Sequence, residues 1–144
     1  MELTLSERSL VVFIDDTGHE ALLKDQPVYG LGGCTIMATE LERVIREPWR
    51  EVRRFVAGSP DKQLHASAFG QGASDEAIAM VARYFGTQPF GRFGAVISTD
   101  TKLDDGLPNL VIVAATIKQR IIDIARWTPF DNLKVIFESS QRRE

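Results

Sequence analysis

The 144-residue chain has one cysteine, Cys34, and two histidines, His19 and His65. A single cysteine has no partner for an internal disulfide, which predicts a reducing compartment, the cytoplasm. So few histidines and cysteines exclude the clustered ligands of a structural zinc site. The sequence has no run of about 18 apolar residues, the length that a membrane-spanning helix needs, so no membrane association is expected. Its first residues, Met1 to Arg8, hold neither the basic start nor the apolar core of a signal peptide. Positive charge is not in surplus either: the net charge is -3, which leaves no global footprint for nucleic acid. Gly30-Leu31-Gly32-Gly33 is not followed by the GK[ST] of a P-loop. Internal repeats and low-complexity linkers are absent as well.

What remains is an ordinary globular composition, 44% apolar and 26% charged, in a length that fits one α/β domain over residues 1–144. Leu10 to Ile14 is a continuous β-branched and aromatic run, as in a strand buried on both faces. Asp15-Asp16-Thr17-Gly18 reads as the turn that stops it. Pro27 to Met37 reads as a second strand, its glycines predicting a bulge or a close backbone approach. Thr39 is the expected N-cap of a helix that carries Leu41, Val44, Ile45, Trp49, Val52, Phe55 and Val56 at helical spacing, with Pro48 kinking or splitting it. Gln63 to Phe69 lies in a glycine-flanked loop. Ser74 caps a helix with Ile78, Val81, Ala82 and Phe85 on one face. Gly91 to Ile97 is a strand, and Asp104-Asp105-Gly106 a turn. Pro108 opens a long helix bearing Val111, Ala114, Ile117, Ile121, Ile124 and Ala125. Leu133 to Phe137 closes the series as a core strand. The order predicts a central mixed sheet with helices packed on its faces. The chain stops soon after that strand, as a protein lacking a C-terminal portion would.

Three apolar strands each run into an acid: Asp15 with Asp16, then Asp100, then Glu138. Were their ends neighbours, the carboxylates would meet at one edge of the sheet. Clustered oxygen ligands suit Mg²⁺ or Mn²⁺, which activate water and stabilise a phosphoryl leaving group. Acids also end strands simply because they favour turns, and that plainer reading stands beside the metal site. His65, with Lys62 and loop glycines nearby, is a candidate proton carrier or phosphate partner, or else a structural histidine. His19 reads as solvent-exposed. Arg43, Arg46, Arg50 and Arg53 form a helical arc that would contact nucleic-acid phosphates, or be a solvated face balanced by Glu40, Glu47 and Glu51. Cys34 reads as a small core residue. Asp16-Thr17-Gly18 also matches the tripeptide of aspartic proteases, which need two such aspartates, here from a dimer. Three helical segments speak against that nearly all-β fold.

Val12-Phe13-Ile14-Asp15-Asp16-Thr17-Gly18 resembles the N-terminal signature of the domain of unknown function 3800 family. Tyr29 to Cys34 is similar to that family's glycine-containing second strand, Leu64-His65-Ala66 to its histidine segment, and Val135 to Glu138 to a later strand ending in an acid. The resemblance implies a ribonuclease H-like fold and a divalent-metal-dependent nuclease or phosphodiesterase. Asp15 and Asp16 would be catalytic and metal-binding, Asp100 and Glu138 further ligands, and His65 an assisting group. Asp16 stands where glutamate is usual, and Gln63 where an acid is expected. The alternative is a non-catalytic interaction domain with an incomplete site. A shortened sheet would also expose apolar surface and favour a homo-oligomer.

Overall fold

The computed structural model describes residues 5–69, 71–100 and 106–137. Among the described residues, four strands form one mixed sheet: β1 (Ser9–Gly18), β2 (Val28–Met37), β3 (Gly91–Ser98) and β4 (Asn132–Phe137), in the order β3-β2-β1-β4. β2 is antiparallel to both of its neighbours, and β4 is parallel to β1. The α/β class and mixed sheet agree with the sequence pattern.

β1 does not stop at Ile14. Its ladder with β2 continues through Asp15↔Gly32, Asp16↔Leu31, Thr17↔Gly30 and Gly18↔Tyr29. The expected acidic turn is therefore the last part of a strand. Alternation sends the two carboxylates to opposite faces, both exposed, so neither enters the core and pairing is not opposed. The chain leaves the strand at Gly18, whose φ of +76° and closeness to the Val28 carbonyl oxygen exclude a Cβ. The glycines of β2 produce no bulge, since each residue pairs one to one. They allow close approach instead: a Cβ on Gly33 would overlap the Phe13 carbonyl oxygen.

The chain divides into two compact units, one holding the sheet and the last helix, the other Thr39–Phe90. In the first, α4 (Asn109–Ala125) packs over β2 and β3. Val12, Ile14, Tyr29, Leu31, Ile97, Val113 and Ile117 form the core between them. The buried stripe of α4 runs through Val113 and Ile117; Val111, expected to face inward, is exposed. Asn109 ties the helix start to the chain after β1, donating from Nδ2 to the Glu20 carbonyl oxygen at 2.8 Å. β4 departs most from expectation. Leu133, Val135 and Phe137 pair with Leu10, Val12 and Ile14, so they share the α4 face, yet they are 45%, 45% and 62% exposed. α4 covers the β2 and β3 columns, which leaves the β4 column an apolar surface and not core.

In the second unit the expected single helix is three pieces: a 3₁₀ turn (Ala38–Glu40), a π-helix (Leu41–Arg46) and α1 (Glu47–Ala57). Thr39 makes no cap, and the Glu47 N–H reaches back five residues to the Glu42 carbonyl. The wide turn ends where Pro48 removes a donor, so Pro48 falls in the first turn of α1, where none is needed. Gly58, at φ +74°, closes α1 in the left-handed conformation. α2 (Ala66–Phe69) is a short turn of helix inside the expected loop. α3 (Asp75–Thr87) has the expected Ser74 cap, its Oγ accepting from the Ala77 N–H at 3.2 Å. Its inward line is Ala77 and Tyr84; Ile78 and Phe85 are exposed. The face is turned by one residue, about 100°, because Tyr84 packs against Trp49 at 5.0 Å and Phe90 at 5.7 Å between centroids. Its hydroxyl donates to the Ile45 carbonyl at 3.4 Å.

Candidate functional site

Asp15 shares a face of β1 with Phe13 and Thr17, opposite to the face that packs on α4. Its partner on β2 is Gly32, and the partner of Gly32 on β3 is Gly94. Neither glycine carries a side chain, so on the β2 side the carboxylate stands beside bare backbone. Asp15 Oδ1 accepts from the Asp16 N–H at 2.8 Å, which orients the carboxylate. From the sequence the Gly30–Gly33 region predicts a bulge or a close backbone approach, and Gly94 carries no signal of its own. Only the register shows that Gly32 and Gly94 lie side by side.

The four carboxylates expected to converge do not do so among the described residues. Asp16 projects from the other face of β1. Asp100 follows the end of β3 at Ser98. That end lies four residues, about 13 Å at strand rise, beyond Gly94, the residue level with Asp15. β2 also separates β3 from β1. The acids on β1 and β3 thus fail to meet because the strands are offset along their length. Glu138 follows Phe137 in sequence and lies outside the described residues, as do Asp104 and Asp105. Among the described residues no group of three or more His, Cys, Asp or Glu side chains could enclose a metal ion.

His65 belongs to the second unit, where it is exposed and lines a cleft of about 500 Å³ with Lys62, Gln63 and Phe69. His19 is half-buried and not free in solvent, its Nδ1 accepting from the Ala21 N–H at 3.1 Å. The arginine arc is partly neutralised, as the charge-balanced reading expects. Arg43 pairs with Glu40, Arg46 with Glu42 at 3.4 Å, and Arg54 with Glu51. The π-turn also breaks the arc, since Arg43 and Arg46 precede α1 while Arg50 and Arg53 lie on it. Cys34 is half-buried on β2, and burial pushes its thiol above the ordinary value. The tripeptide Asp16-Thr17-Gly18 is paired strand along its whole length.

No protein-family model, curated protein or solved structure matches the chain. The family resemblance therefore rests on the short motifs that carry it.

Proposed function

We propose that this chain is a divalent-metal-dependent phosphodiesterase or nuclease of ribonuclease H-like fold, with Asp15 as the central protein ligand. The observation that carries this reading is the place of Asp15: an exposed carboxylate in the last, exposed part of the most buried strand, beside the bare backbone of Gly32 and Gly94. A phosphodiester approaching that floor meets bare backbone at Gly32 and Gly94, with Arg92 and Val96 two residues to either side on the same face of β3 and the carboxylate at the edge. Asp15 would hold Mg²⁺ or Mn²⁺ with help from substrate oxygens, and Glu138 is the sequence candidate for a second ligand. The ion supplies charge neutralisation at the phosphoryl group and a more acidic water. The backbone floor positions the substrate, and Thr17 is the nearest hydroxyl on the same face of β1. Asp16 acts through its N–H, which fixes the Asp15 carboxylate.

The test is calorimetry with Mn²⁺ together with cleavage of single-stranded RNA and DNA. Metal-dependent cleavage lost in Asp15→Asn is expected, with weak Mn²⁺ binding that tightens when oligonucleotide is added. Absence of both heat and cleavage at millimolar Mn²⁺, with the protein folded, would overturn the reading.

A second reading, a non-catalytic interaction domain, is favoured by the exposed apolar column of β4 and by the lack of an acidic cluster among the described residues. It expects Asp15→Asn to leave cellular function intact. The same phenotype as a deletion would reject it.

A further inference from the structure

The second unit contains a cleft that the proposed metal chemistry does not use. It is enclosed by the end of α1 (Val56, Ala57), the connection from Lys62 to His65, the end of α2 at Phe69, and the segment that leads into α3. Its volume, about 500 Å³, lies within the ordinary range for small-molecule sites. The lining has two chemistries. Val56, Leu64, Phe69 and Ala77 supply an apolar wall with one aromatic ring, while Lys62 and His65 supply nitrogen donors and Gln63 and Gln71 amides. None of the lining residues is acidic, although the chain carries 20 Asp and Glu against 17 Lys and Arg. Lys62 and His65 are the groups of this lining that an anion would meet.

We propose that this cleft binds a phosphate monoester with a planar apolar body, of mononucleotide size. The phosphate lies against Lys62 and His65, where a compact ammonium and a ring N–H both donate. The planar body lies on the Phe69 and Leu64 side, where stacking and burial of apolar area hold it. The site is independent of Asp15 and requires no metal. Free mononucleotides and the phosphorylated end of an oligonucleotide present the same chemistry.

The full chain is titrated in EDTA with AMP, adenosine, inorganic phosphate and a 5′-phosphorylated ten-nucleotide RNA. AMP is expected to bind one to one and at least tenfold more tightly than adenosine or phosphate. Lys62→Glu, a change at an exposed position, should weaken AMP at least tenfold, and Asp15→Asn should leave it unchanged. If the RNA binds as tightly as AMP the natural ligand is a strand end, and if it binds more weakly it is a free nucleotide; either result supports the site. No AMP binding at millimolar concentration, equal binding of adenosine, or indifference to Lys62→Glu would overturn it. EDTA keeps this outcome distinct from failure of the metal-dependent reading.

Discussion

Cys34 shows how one side chain's surroundings set the pH response of the fold. Burial raises its thiol above the ordinary value, so the folded chain keeps a proton that the unfolded chain gives up. Unfolding then releases a proton, and stability falls as pH rises from the unfolded thiol's value until it passes the raised folded one. Cys34→Ala should flatten that alkaline slope in denaturation measured between neutral and alkaline pH, and the wild-type thiol should react slowly with Ellman's reagent until the protein unfolds. The glycines are equally individual. On Gly33 an added Cβ meets the Phe13 carbonyl oxygen, a backbone atom unable to move aside, so Gly33→Ala should cost about 1–3 kcal/mol. On Gly94 the nearest atom is the Leu31 carbonyl oxygen at 3.8 Å, an ordinary contact. Gly94→Ala should leave the urea midpoint nearly unchanged while filling part of the floor beside Asp15, so lost cleavage without lost stability would implicate that floor. The sequence made Asp15 legible through the buried run before it. It could not show which glycines stand beside it, because that depends on the register of three strands.

Element by element, periodicity located nearly every segment and misjudged several faces. Ser74 was legible because its cap is local: the hydroxyl and the N–H it accepts from are three residues apart. Ser74→Ala should therefore destabilise the protein by about 1 kcal/mol, and amide exchange should rise in the first turn of α3. The inward face of α3 was not legible, since Tyr84 turns inward to reach Trp49 and the Ile45 carbonyl, both distant in sequence, as well as Phe90 just past the helix end. The π-turn before α1 was hidden for a related reason. A wheel drawn at 100° per residue assumes one helix type, and Leu41–Arg46 is wound more widely. The acidic end of β1 was misread as a turn because Asp favours turns in isolation, whereas here the β2 ladder decides.

For the whole molecule, the mixed sheet followed from the order of apolar runs, and the exposure of β4 did not. Its residues are apolar enough for a core strand, but α4 lies over β2 and β3. An apolar column on an edge strand promotes association between copies. Concentration-dependent light scattering is expected and should fall in Val135→Lys; scattering unchanged by that substitution would remove β4 from the contact. The division into two units also has a consequence for how such a chain can be cut and rejoined. Thr35 pairs with Gly91, so the path that leaves β2 for residues 39–90 comes back to the sheet beside its own point of departure. β2 and β3 are then the arms of a hairpin whose loop is an entire helical unit. Replacing 39–90 with a few turn residues should keep all four strands in their present order, and a single insertion or loss of that segment could occur without rethreading the sheet.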